Sequence, residues 1–207
     1  MASSIIHLAV AKEVAKKIKI KNQKDYYLGA IAPDISKQIG ASKEESHFQM
    51  NTINNLPNIN IFKKRYPFFK DNSFDLGYFT HLYTDKLWKE EFMSKIVCNN
   101  SIKLLDGTII QTTPEETANM IYSDYTNLNT KLIDEYNLDL SLFYEDFIVP
   151  NTKIKEVPVE KLDILINKMG ILIENSKEEK TYTFDIDIIK NFIDTTAIQI
   201  IKELKDK

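Results

Sequence analysis

The chain contains a single cysteine, Cys98, among its 207 residues, so neither an intrachain disulfide nor a cysteine-rich zinc site can form. It also lacks an excess of either charge sign. There are 27 basic against 30 acidic residues, a net charge of −3. Such a balance gives no electrostatic reason to bind nucleic acid or acidic membranes non-specifically. A small substrate bearing phosphate stays open, because a metal ion can supply the local positive charge. No window approaches the ~18 uninterrupted apolar residues of a membrane span, so integral membrane association is not expected. The opening MASSIIHLAVAKEVAKK has no basic region ahead of its apolar stretch, and that stretch contains His7 and runs into Lys12 and Glu13. It therefore does not read as a secretory signal, and a cytoplasmic location is expected.

Several catalytic signatures are missing as well. The three histidines precede Leu8, Phe48 and Leu82, which excludes the adjacent His-Asp pair of helical HD-type phosphohydrolases and the HExxH of zinc peptidases. No GxSxG elbow occurs, and Cys98 has no histidine near it in sequence.

What is present is enough apolar material, 43% of residues, to bury a full core in one domain. The patterning predicts an all-α chain, one helical domain over 1–207. Ser3 or Ser4 caps a first helix to about Ile18, with a buried stripe of Ile6 or His7, Val10, Val14 and Ile18. A second helix covers Asp25 to Ile31 and ends before Pro33. Residues 35–60 read as a long polar loop with at most one short helix. Ser73 opens a helix to about Val97 whose face carries Phe74, Gly77, His81, Asp85, Trp88 and Phe92. Asp106-Gly107 between apolar runs predicts one short hairpin near 102–110. Further helices are expected over 114–137, 159–176 and 185–205, with 145–158 as loop. The chemistry-bearing part is 3–95, and 114–205 is a C-terminal helical part.

His81 and Asp85 lie four residues apart, so they project from one helix face and can grip a single ion. Gly77, one turn earlier, leaves room for another helix or an ion. A lone HxxxD is nevertheless a common pattern, and by itself it reads as a half-buried histidine paired with a carboxylate. His7 on an apolar stripe reads alone as a core histidine, and His47 as a surface one. Asp34 sits just past a helix end, free to turn inward. Imidazole and carboxylate together suit Zn²⁺ and, with more oxygen ligands, Fe or Mn.

Taken in order, these residues form a pattern: IIHLAVA with His7, then Gly29-Ala30-Ile31-Ala32-Pro33-Asp34, an isolated His47, Gly77-Tyr78-Phe79-Thr80-His81-Leu82-Tyr83-Thr84-Asp85, and Trp88. Over roughly 3–95 the chain resembles the zinc-dependent phospholipase C family, whose helical fold is shared with fungal single-strand nucleases. The resemblance implies a principal metal site of Asp34, His47, His81 and Asp85. Asp85 would bridge to a second ion held with His7, and Asp34 and Asp85 would be the catalytic carboxylates. The implied reaction is hydrolysis of a small-molecule or lipid phosphoester by a metal-activated water.

Two departures bear on this. In secreted members the amino group of an N-terminal Trp is a ligand, whereas this chain begins Met-Ala. Those members also carry further histidines and a glutamate for a third ion. Here no histidine follows Asp85, although Glu90 and Glu91 are close. One or two ions, Zn or alternatively Fe or Mn, are therefore expected. Asp124, in Tyr122-Ser123-Asp124-Tyr125, is a further candidate as a ligand or as an acceptor for an imidazole N–H. Trp88 reads as core packing more readily than as a stacking platform. Tyr83 and Tyr125 are candidate phosphate donors, and Lys63-Lys64-Arg65 reads as a solvated face or a phosphate-recruiting rim. The alternative to catalysis is a structural ion tying the first helix to the HxxxD helix. The substrate and oligomeric state are not legible in the sequence.

Overall fold

The computed structural model describes residues 1–50, 52, 55–141, 145–176, 179 and 181–206. The fold is all-α with one small sheet. Helix α1 spans Ser4–Ala15, with the Ser3 hydroxyl accepting from the Ile6 N–H at 3.3 Å. Helix α2, Gln23–Ile31, starts at Asn22, whose side chain accepts from the Asp25 N–H. It gives way to a 3₁₀ turn, Ala32–Asp34, which Pro33 suits because the first turn needs no proline N–H.

The expected long loop is more structured than its composition suggests. It holds two short helices, α3 (Ile35–Gln38) and α4 (Lys43–Ser46), before α5 begins at Ile59 and runs to Arg65. Short polar helices with mixed burial leave no clear apolar period to read. Residues 51, 53 and 54 of that stretch lie outside the described residues.

Helix α6, Ser73–Leu87, is capped by Asn72 rather than Ser73. The Ser73 hydroxyl instead accepts from the Asn22 N–H at 3.0 Å, joining the starts of α2 and α6. The α-helix also stops short of Val97. A π-helical turn, Trp88–Phe92, and a 3₁₀ turn, Met93–Lys95, replace its last part. Here the rings of Trp88 and Phe92 stack with centroids 4.3 Å apart, and Tyr125, Phe184 and Phe192 close around Trp88.

Two glycines set the contact between α2 and α6. A Cβ on Gly29 would fall 2.1 Å from the Phe74 carbonyl oxygen, and one on Gly77 would fall 2.0 Å from that of Tyr26. The two backbones thus touch directly, and the space left by Gly77 is taken by another helix. Helix α1 packs on α2 and α6, and α9 (Ile186–Lys205) covers α1.

The hairpin is present and gains a third strand. Strands β1 (Val97–Cys98), β2 (Ser101–Lys103) and β3 (Ile109–Gln111) pair antiparallel in sequence order. Asn99 and Asn100, at φ 44° and 61°, make the two-residue turn between β1 and β2, a left-handed pair that asparagine tolerates. Helix α7, Pro114–Glu135, opens with a capping box of Thr113 and Glu116. After a 3₁₀ turn at Val159–Lys161, α8 (Leu162–Glu174) packs against α3 and α7.

Candidate metal centre

All five residues of the pattern converge. His7 comes from α1, Asp34 from the turn after α2, His47 from the end of α4, and His81 and Asp85 from α6. His7, His47, His81 and Asp85 are 0% exposed, while the Asp34 side chain retains 14%. The donor atoms of His7, Asp34 and His81 lie within 4.8 Å of one another, and so do those of His47, His81 and Asp85.

Hydrogen bonds at Nδ1 fix the rings of His81 and His47. The His81 Nδ1–H donates to the Ala30 carbonyl at 2.8 Å, which leaves Nε2 of the neutral ring as a bare lone pair. His47 follows from a hydroxyl chain. Ser36 Oγ donates to the Pro33 carbonyl, and Ser46 Oγ donates to Ser36 Oγ. The acceptor lone pair of Ser46 Oγ, 2.8 Å from His47 Nδ1, then takes the Nδ1–H. Assigned this way from the hydrogen-bond network, both Nε2 atoms are unprotonated, and they face each other at 3.3 Å.

Two lone pairs in that position repel unless a cation lies between them. Nitrogen ligands of a tetrahedral zinc at ~2.05 Å are about 3.3 Å apart. Around them, Asp85 Oδ2 is 3.6 Å from His81 Nε2 and 3.7 Å from His47 Nε2, and Asp34 Oδ1 is 3.7 Å from His47 Nε2.

Burial without partners supports the same fit. Asp85 Oδ2 and both ring nitrogens of His7 are buried with no hydrogen-bond partner among the described residues. Such groups are costly unless something unseen satisfies them. His7 Nε2 does lie 3.3 Å from Asp85 Oδ1, and the His7 ring stacks on His81 with centroids 3.8 Å apart. Burial, with the adjoining His7 ring, pushes the His81 imidazole down to about 3, so it is neutral and able to ligate at neutral pH. Burial opposes the charge on Asp85, but the surrounding imidazoles outweigh it and hold the carboxyl well below the usual carboxylate range. The same balance, with His47 foremost among the imidazoles, holds Asp34 down. The two carboxylates are therefore ionised and the His81 imidazole neutral, the states in which such groups bind a divalent cation.

His47 owes its position to an unusual helix end. The N–H groups of Phe48 and Gln49 bond back to the carbonyls of Glu45 and Glu44, closing α4 in the Schellman manner. Phe48 occupies the left-handed position, φ 53°, where glycine is usual. A phenylalanine there costs on the order of 1 kcal/mol. Its ring is buried against Phe62, Tyr66 and Tyr78, which offsets that cost.

The remaining candidates lie elsewhere. Asp124 is fully buried and is in neither donor group: its oxygens accept from the N–H groups of Tyr182 and Thr183, each at 2.7 Å, and from the Thr183 hydroxyl at 2.5 Å. Nor does an imidazole bond to it. Glu90 pairs with Lys86, and Glu91 accepts from Gln199, so neither joins the cluster. Trp88 is core. Tyr83 packs on Phe79, and the Tyr125 hydroxyl donates to the Met1 carbonyl. Lys63 and Arg65 pair with Glu203 and Glu156, so part of that basic run serves to tether the C-terminal half.

What the sequence did not disclose is the support: the Ala30 carbonyl, Ser36, Ser46 and the cleft that reaches the cluster. Only Ser46, adjacent to His47, left a local trace. The cleft, about 250 Å³, lies between the N-terminal segment, α3, α4, α7 and α8, and Asp34 is among its lining residues.

Residues 6–88 match the family model described as zinc dependent phospholipase C, a span that takes in all five clustered residues, and the match supports membership of that family. No curated protein and no solved structure matches the chain.

Proposed function

We propose, from the family match over residues 6–88, that this protein is a metal-dependent hydrolase of phosphoester bonds. The observation that carries the reading is the pair of unprotonated Nε2 atoms 3.3 Å apart, ringed by two ionised carboxylates and reached from a cleft through Asp34. Asp34, His47, His81 and Asp85 would hold the principal ion, and His7 with Asp85 a second. Zinc suits this nitrogen and oxygen set, and Fe or Mn would suit it with added oxygen ligands. When bound, such an ion lowers the pKa of a water and neutralises charge developing on phosphoryl oxygen.

The protein's own groups divide the remaining work. Asp34, the one clustered carboxylate in contact with the cleft, orients the attacking water and accepts its proton. Asp85, closed off from solvent, ties α6 to α1 through His7. The imidazoles of His81 and His47 are held ready by Ala30 and Ser46, so little reorganisation accompanies the reaction. The cleft's apolar wall of Leu165, Met169, Leu172 and Ile173 supports a substrate with an apolar substituent, a lipid phosphoester or a small diester of similar character.

One feature favours a purely structural ion: four of the five clustered residues have no exposure at all. Metal and activity measured together separate the two readings. Metal per chain is measured by elemental mass spectrometry on untagged protein, with His81→Ala as control. Turnover of a chromogenic phosphodiester and of a short-chain phospholipid is measured alongside. A hydrolase gives bound metal and turnover in the wild type, with both lost in His81→Ala while the helical circular-dichroism signal persists. Metal without turnover on any phosphoester supports the structural ion, and full activity in His81→Ala sinks the metal reading.

A further inference from the structure

We propose that Lys43 is the phosphate-anchoring cation of this site, an inference that rests on the hydrolase reading for its substrate class. Lys43 stands four residues before His47, so its ammonium and the imidazole leave the same side of α4. The imidazole turns into the cluster. The ammonium stays at the rim, 33% exposed, and lines the cleft beside Asp34.

Its one ion pair among the described residues is a long one, to a residue of the cluster itself. Among the described residues its contacts are Asp34 Oδ1 at 3.8 Å, beyond hydrogen-bond length, and the weakly accepting Met1 sulfur at 3.7 Å. Lys37 and Lys168 also line the cleft, but among the described residues neither makes an ion pair with Asp34, and two lysines near Lys43 are engaged elsewhere. Lys37 donates to the Tyr122 hydroxyl at 3.1 Å and lies over that ring, and Lys89 donates to the Asn55 carbonyl at 2.6 Å. With Asp34 holding a metal, Lys43 would face the cleft with no other anionic partner among the described residues. A phosphoryl group bound at the cluster through one oxygen then presents a second oxygen to Lys43, and a charge-assisted bond forms.

A second, independent feature marks the cleft as a place for a ligand. Asn129 lines it from α7 and is 8% exposed, and its Oδ1 is buried without a partner among the described residues. The amide orientation follows from the network. Ser176 Oγ donates to the Leu172 carbonyl, so it accepts from Asn129 Nδ2, which leaves Oδ1 as a buried, unsatisfied acceptor on a residue of the cleft wall.

The experiment is calorimetric titration of inorganic phosphate into the zinc-loaded protein at low ionic strength, for wild type, Lys43→Met and Lys43→Arg, with zinc per chain measured in each. Methionine keeps the stem and its packing but removes the charge. Lys43→Met is expected to weaken phosphate binding by about tenfold or more with zinc content unchanged, and Lys43→Arg to retain most of it. Equal affinity in wild type and Lys43→Met overturns the proposal, as does a wild type that binds no phosphate. Loss of zinc in Lys43→Met overturns it too, because the lysine would then act only by holding Asp34.

Turnover of bis(p-nitrophenyl) phosphate by the same proteins separates this from the parent reading. Lys43-dependent phosphate binding without turnover in the wild type leaves the anion site standing and the hydrolase reading fallen. Turnover in the wild type with Lys43-independent phosphate binding leaves the hydrolase reading standing and removes the anion site.

Discussion

Asp85 on α6 and Asp124 on α7 are both carboxylates with no exposure, each carried by a long helix, and the fold treats them in opposite ways. Around Asp124 the chain at 182–183 turns in and delivers two N–H groups and a hydroxyl, so its oxygens are satisfied and it fastens a loop. Around Asp85 the Ala2 N–H reaches Oδ1 at 3.0 Å, while Oδ2 meets only imidazole nitrogens at 3.6 and 3.7 Å and finds no donor among the described residues. A buried anion needs compensation. At Asp124 two backbone N–H groups and a hydroxyl supply it, whereas at Asp85 Oδ2 no donor among the described residues does.

The pair of substitutions Asp85→Ala and Asp124→Ala gives the strongest test of that contrast. Asp85→Ala is expected to abolish metal binding and turnover. Asp124→Ala should keep its full metal content yet lose about 2–3 kcal/mol of stability, because three donors are left buried. Denaturant melts with metal analysis on both proteins check this, and metal loss in Asp124→Ala would break the distinction.

Gly77→Ala probes the frame beneath the cluster. Its Cβ would need room occupied by the Tyr26 carbonyl oxygen, 2.0 Å away, and the adjacent atoms are backbone that cannot swing aside. Separation of α2 from α6 should cost about 3 kcal/mol. It should also lengthen the bond from His81 to the Ala30 carbonyl, so zinc affinity falls together with the melting temperature. A stable Gly77→Ala protein with unchanged zinc affinity would mean the close approach is dispensable.

Ser46→Ala is the mildest change. It removes the acceptor that keeps the proton on His47 Nδ1, and zinc should bind about tenfold more weakly, the effect typical of losing a group that orients a metal-ligating histidine. Competition against a chelator reads this directly. Ser46→Thr should restore most of the affinity, whereas a purely structural role would lower the melting temperature of the metal-free protein without that rescue.

The periodic helices were legible because each buries a continuous stripe that its own spacing announces. Ser3 marked a helix start for a local reason, and Asp106-Gly107 marked its turn. The short helices over 35–46 escaped because four-residue helices hold too few apolar positions to display a period. The break of α6 at Trp88 escaped because the π-helical turn packs on aromatic rings contributed by Phe184 and Phe192, far along the chain.

By itself the sequence determined the helical class, the HxxxD pair on one face and the ordered set of three histidines and two aspartates, since these follow from spacing and residue chemistry along the chain. Tertiary structure alone decided that Asp85 keeps an open oxygen while Asp124 does not, that Ala30 and Ser46 orient the imidazoles, and that a cleft walled by α7 and α8 is lined by Asp34 and Lys43. The physical reason is that hydrogen-bond satisfaction is a property of whatever surrounds a group in space. The donors that decide it here lie 83 residues from Asp85 along the chain, at Ala2, and 59 residues from Asp124, at Thr183.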